Sequence, residues 1–234
     1  MDRKSQITGA SLRSPAVFLL AGQLLYIAAT LLHAGGHAND HEAIFAIYAR
    51  NEIWTAVHLG QFAAMAIMLA GMIGVFSALV EAGGTSWLAR VGSAAAVAAL
   101  ALYAALQAID GVALKQAVNA WEIAPEAERT ARFASAEAVR WLEWGMRSYH
   151  DFALGLALLA AAAAVGRVLA WTIGAVITLS GVAYLAQGWL AGSEGFSDAQ
   201  STAIALGWAL NLAWMIWLFA LSLRNGAAAV NRKV

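Results

Sequence analysis

The chain has 234 residues, of which 62% are hydrophobic and only 12% charged, with no cysteine and a formal net charge of zero. Soluble domains carry about a quarter charged residues, so this composition excludes an ordinary soluble domain, a disordered chain and a low-complexity one. The missing cysteines exclude disulfide scaffolds, thiolate metal sites and cysteine nucleophiles, and zero net charge offers no bulk attraction to nucleic acid.

A helix crosses the hydrocarbon core in about 20 mainly apolar residues. Six stretches qualify, at 16–35, 54–80, 88–110, 149–165, 169–190 and 203–223. The expected fold is therefore all-α, a single polytopic domain of six transmembrane helices in a lipid bilayer. Ser14-Pro15 reads as an N-cap followed by proline at the first position of span one. Segment 39–52 opens with Asn39-Asp40-His41-Glu42, a helix start, and Ile44, Ile47 and Tyr48 give it one apolar edge, which predicts a short helix on the bilayer surface. In segment 111–148, Pro125 precedes Glu126 and Glu128, acids suited to a first helical turn. There Arg140, Glu143 and Arg147 form a polar stripe and Val139, Leu142 and Met146 an apolar one. This predicts an amphipathic lid against the headgroups that runs on into span four. Its 121–147 helix is also the surface on which a homo-oligomer or a membrane-complex partner would dock. Ser197-Asp198-Ala199-Gln200 is a capping pattern before span six, and Trp54, Trp87, Trp171 and Trp189 sit at span ends, where interfacial belts form.

Charge predicts the orientation. With the N-terminus inside, the inner segments hold Arg3, Lys4, Arg13, Arg90, Arg167, Arg224, Arg232 and Lys233 against only Asp2 and Glu81. That bias places both termini in the cytoplasm.

Polar side chains in lipid are costly and face protein or a wet cavity. In span one Gln23, Tyr26, Thr30, His33 and His37 are spaced 3, 4, 3 and 4 apart, which is one helix face. Tyr103, Gln107 and Asp110 repeat the pattern in span three, and Ser180, Tyr184 and Gln187 in span five. Facing one another, these stripes predict an outward-opening polar cavity lined by Gln23, Tyr26, Tyr103, Gln107, Asp110, Tyr184 and Gln187. The plainer alternative is interhelical hydrogen bonding with each side chain satisfied by a neighbour. Asp110 and Lys115 are expected to form an ion pair at the end of span three.

All five histidines (His33, His37, His41, His58 and His150) fall at the predicted outer side. Interfacial anchoring accounts for such a bias. A metal site would need ligands converging from several helices, with carboxylates to orient them. His33, His37, His58 and His150 are the candidate ligands, with Asp151 and Glu52 in support. Imidazole and carboxylate without thiol suit zinc, copper(II), iron or manganese. A b-type haem held between two of His33, His58 and His150 is the alternative cofactor.

No phosphate loop, nucleophile elbow or kinase signature is present, so no particular enzyme class is indicated. His37 followed by Asn39-Asp40, then Trp54-x-x-x-His58, then Asp110-Gly111 with Ala113-Leu114-Lys115, resembles the arrangement in a group of small bacterial multi-spanning membrane proteins of uncharacterised function. The resemblance implies a six-helix bundle in a bacterial cytoplasmic membrane and carries no activity or ligand with it. Three functions follow from the residues: an outward-facing His/carboxylate site for a metal or haem, a small-solute transporter or channel, and an accessory subunit of a membrane complex.

Overall fold

The structure, a computed structural model, describes residues 9–81 and 86–230. Arg3, Lys4, Asp2, Arg232 and Lys233, which contribute to the charge bias, lie outside the described residues. Among the described residues there are eight α-helices and one π-helical turn, and no strand. They are α1 (Gly9–Leu31), α2 (His41–Arg50), α3 (Trp54–Glu81), α4 (Ser86–Ala108), the π turn (Ile109–Leu114), α5 (Lys115–Glu122), α6 (Glu126–Val168), α7 (Trp171–Glu194) and α8 (Asp198–Val230). Six helical stretches are long and apolar enough to cross a membrane. They pack as a closed ring in chain order, α1 on α3, α3 on α4, α4 on α6, α6 on α7, α7 on α8 and α8 back on α1. Short connections between successive spans force this up-and-down order. One end of the ring is filled by apolar side chains, among them Leu12, Leu19, Met72, Phe76, Val165 and Leu218. The other is capped by α2 and α5, whose Ile44, Phe45, Tyr48, Val118 and Trp121 form a second core with Trp54, Leu114 and Ala136.

Several predicted boundaries move. Pro15 lies inside α1 rather than at its start. The bond lost at its nitrogen is tolerated because the proline packs closely on α3, where a Cβ on Gly71 would lie 2.8 Å from Pro15 O and one on Gly74 2.9 Å from Pro15 Cγ. Span one stops at Leu31 instead of running to residue 35. The chain then turns through Gly36 at φ +152°, a conformation that favours glycine. His37 is therefore not one helical turn above His33. The predicted end of span three at residue 110 is the π turn, and the helical rod continues through it to Glu122.

Of the predicted helix starts, those of α6 and α8 hold, and that of α2 holds to within one residue, its cap being Asp40 rather than Asn39. Asp40 caps α2 by accepting from Ala43 N, and Ser197 Oγ accepts from Gln200 N at the start of α8. Pro125 precedes α6, which runs unbroken for 43 residues, a rod of about 65 Å. The lid expectation fails for its middle. Arg140 and Glu143 are each 2% exposed, whereas Trp141, Leu142 and Tyr149 are 56%, 50% and 66% exposed. Charges inside and apolar residues outside is the pattern of a helix surrounded by lipid, so the stripe faces the bundle interior rather than headgroups.

Close helix approach predicts an asymmetry between two glycines. Gly71→Ala puts a Cβ 2.6 Å from Leu19 N and should cost about 1–3 kcal/mol. Gly145→Ala meets nothing within 4 Å and should be neutral or stabilising by up to about 1 kcal/mol. Thermal unfolding of the detergent-purified protein distinguishes the two.

Candidate functional site

Beneath α2, the capped end of the ring encloses a cavity of about 450 Å3. Its walls come from α1 (Tyr26, Thr30), the turn after α1 (His33 and His37), α3 (Gln61), α4 and the π turn (Tyr103, Gln107, Asp110), α6 (Arg140, Glu143, Arg147) and the start of α8 (Gln200, Ile204, Trp208).

At one wall His33 and Asp110 meet His58, which is buried behind the wall and lines a neighbouring pocket, and the three bring one ligand atom each to within 4.8 Å of the others. The backbone explains the convergence. In the π turn the carbonyls of Asp110 and Gly111 accept from Trp54 Nε1 (2.9 Å) and Thr55 Oγ1 (3.0 Å) on α3. These bonds clamp the first turn of α3 to the turn that carries Asp110. Gly111 makes room for the approach, since a Cβ there would lie 2.6 Å from His58 Cβ. Wide turns of this kind recur at functional sites because they re-aim side chains within a continuous helix.

The histidine tautomers follow from their partners. His58 Nδ1 lies 2.7 Å from Trp54 O, and His33 Nδ1 lies 3.0 Å from Ala34 O. A carbonyl only accepts, so both Nδ1 atoms carry hydrogen and each neutral imidazole presents its Nε2 lone pair. Burial pushes His33 below the ordinary imidazole pKa, with Asp110 opposing and His58 reinforcing, which favours the neutral ligand form. His33 packs against Trp54, His58 and Tyr48 at ring separations of 4.8, 5.1 and 6.0 Å. His58 Nε2 is 2.9 Å from Asp110 Oδ2, an ion-pair distance, and Asp110 Oδ1 has no hydrogen-bond partner.

The other sequence candidates lie elsewhere. His150 is buried on α6 with Nδ1 2.9 Å from Ala99 O and its ring on Tyr103, so it does not join His33 and His58. Asp151 is buried in an ion pair with Arg147 at 2.8 Å. Glu52 is exposed in the α2–α3 connection. His37 is exposed at the cavity rim. Of the predicted lining, Tyr26, Tyr103, Gln107 and Asp110 face the cavity. Gln23, Tyr184 and Gln187 instead belong to a buried hydrogen-bonded layer. Asn211 Nδ2 donates to Gln23 Oε1 (3.2 Å) and Tyr184 OH (3.3 Å), and Gln187 accepts from Arg147 and donates to Ala203 O. The span-one stripe thus serves both purposes, cavity at one end and interhelical bonding further in, while the span-three stripe faces the cavity and Tyr184 and Gln187 of span five only bond between helices.

Lys115 does not pair with Asp110. Its Nζ donates to Tyr48 O (2.7 Å) and Ala49 O (2.8 Å), capping the C-terminal carbonyls of α2, where a cation is favoured. Among the cavity residues not foreseen as lining are Gln61, Arg140, Glu143 and Arg147. Arg140 donates to Glu143 Oε2 (2.6 Å), Ala38 O (3.2 Å) and Tyr48 OH (3.3 Å). The signal for them was present: Arg140, Glu143, Arg147 and Asp151 continue one helical face straight into span four.

No family model matches the chain, and no curated protein or solved structure is significantly similar to it. Chemically, two imidazole nitrogens and a carboxylate at this spacing could hold a metal ion, with the donor types used in catalytic zinc and non-haem iron sites. A haem between His33 and His58 does not fit, because their rings touch edge to face at 5.1 Å and leave no slot for a macrocycle.

The capping role of Lys115 is testable. Lys115→Met leaves the last α2 carbonyls without their cation and should lower stability by about 1–2 kcal/mol, read as a lower midpoint in thermal unfolding, while Gln116→Met on the exposed side should not.

Proposed function

We propose that this protein is a membrane metalloprotein in which His33 Nε2, His58 Nε2 and the Asp110 carboxylate hold a divalent transition metal whose remaining positions open to the polar cavity. The observation that carries this is the paired backbone bonding of the two imidazoles. Each Nδ1–H is tied to a carbonyl, the orienting contact found behind metal-bound histidines, so both lone pairs are aimed while Nε2 of His58 and Oδ1 of Asp110 lack other partners. The 2.9 Å between His58 Nε2 and Asp110 Oδ2 is near the roughly 3 Å between neighbouring donors on a metal with bonds of about 2.0–2.1 Å. Zinc, iron(II) and manganese(II) suit this donor set. The lysine and arginine bias of the short connections supports an outward-facing site with both termini cytoplasmic. A channel fits less well, because beyond the Gln23–Asn211 layer the ring is filled with apolar side chains.

Elemental analysis of the detergent-purified protein tests this. About one equivalent of metal is expected in the wild type, with loss of at least tenfold in affinity for His58→Ala, Asp110→Asn and Gly111→Ala, the last by displacing His58. Glu52→Gln and His150→Asn should keep the metal. A protein that stays metal-free after incubation with zinc, iron(II) and manganese(II), with His58 and Asp110 as a simple ion pair, sinks the proposal. Affinity should also fall on acidification, since protons compete for the Nε2 lone pairs. The lowered pKa of His33 moves its share of that loss below about pH 6.5.

A further inference from the structure

We infer that the ligand completing the metal site is an amphiphilic anion, a carboxylate or phosphate head group joined to an apolar chain. This rests on the metal site proposed above. Charge is the first observation. Among the buried charges at the cavity, Asp110, Glu143 and the Asp151 behind Arg147 stand against Arg140 and Arg147, a single net negative charge, while Asp198 at the rim is exposed to solvent. A divalent ion held by two neutral histidines reverses this to a single positive one. Buried charge is stable only when compensated, so the open coordination position calls for one negative charge.

Donor geometry gives the second observation. Arg147 lines the cavity and has five N–H groups. One holds Asp151 at 2.8 Å, and two make long bonds of 3.4 and 3.3 Å to Tyr26 OH and Gln187 Oε1. The guanidinium keeps donors free for an anion that reaches from the metal into the cavity, and arginine suits such oxygens because its fork matches their geometry. Arg140 adds a second guanidinium on the same wall, fixed over Phe196 and Tyr48 at 4.6 and 5.4 Å.

The apolar part follows from the rest of the wall. Leu106, Ile204, Trp208 and Phe196 face the same space, and a small hydrophilic anion would leave them uncovered. The cavity also lies at the level where Trp141, Leu142 and Tyr149 on the outside of α6 face lipid. Amphiphiles concentrate at that depth, because each methylene withdrawn from water favours partitioning.

The test uses the full chain in detergent, loaded with cobalt(II), whose visible bands report the coordination shell. Hexanoate, n-hexyl phosphate, acetate and 1-hexanol are titrated separately. A hexyl anion should change the bands saturably at a concentration at least tenfold below acetate, and 1-hexanol should leave them unchanged. The lower midpoint of hexanoate or hexyl phosphate identifies a carboxylate or a phosphate head group. Arg147→Gln should raise the midpoint at least tenfold and Arg147→Lys by less. Bands that respond equally to hexanol, bands that respond to no anion, or equal midpoints in wild type and Arg147→Gln overturn this inference while leaving the metal site standing. If Arg147→Gln fails to fold or to take up cobalt, the comparison of charged with neutral ligands on the wild type decides alone. No cobalt spectrum in the wild type overturns the metal site and this inference together.

Discussion

Charge on α6 cannot face lipid, and much of the structure answers to that constraint. Arg140, Glu143, Arg147 and Asp151 occupy one face of a helix whose other face carries Trp141, Leu142 and Tyr149. An unpaired guanidinium or carboxylate at bilayer depth is expensive, so the charged face must look inward and find partners there. It finds them on itself, as Arg140–Glu143 and Arg147–Asp151, and on α1, α2 and α7, through Tyr26, Tyr48 and Gln187. The ring of helices is closed around these pairs, and the polar space beside them is the cavity.

The cavity has a graded floor. Nearest the opening lie ionisable groups, among them His33, Asp110, Arg140 and Glu143. One turn further in, Asn211 bonds to Gln23, Tyr184 and Trp214. Beyond them the packing is apolar, with small residues letting helices touch, as where a Cβ on Gly174 would lie 2.8 Å from Gly166 Cα on α6. Polarity therefore falls off along the ring axis from the capped end.

The spans were legible because 20-residue apolar runs have no other explanation in a chain this poor in charge. The caps of α2 and α8 were legible because Asp40 and Ser197 act within three residues of themselves. Half of the polar cavity was legible from helical spacing alone. Of the proposed ligands, His33 and His58 were legible as candidates, but their convergence with Asp110 was not. His33 and His58 are joined to Asp110 only by the approach of α3 to the π turn, which depends on Trp54, Thr55 and Gly111 acting across the helices. His150 has the same residue type at a comparable depth, but its side of α6 points at α4 and Ala99 O. The stripe on α6 misled because charge was assumed to seek water, whereas here it seeks its own partners inside a lipid-facing shell.

The π turn has a consequence for helical phase. Such a turn takes up one residue more than an α turn, which rotates everything after it by about 100°. Upstream, Tyr103, Gln107 and Asp110 face the cavity, while downstream Lys115, Val118 and Trp121 face α2. A regular helix of this sequence could satisfy only one of these two registers. The extra residue lets a single rod serve two partners in different directions, so the cap over the cavity and the carboxylate inside it are set by the same local winding.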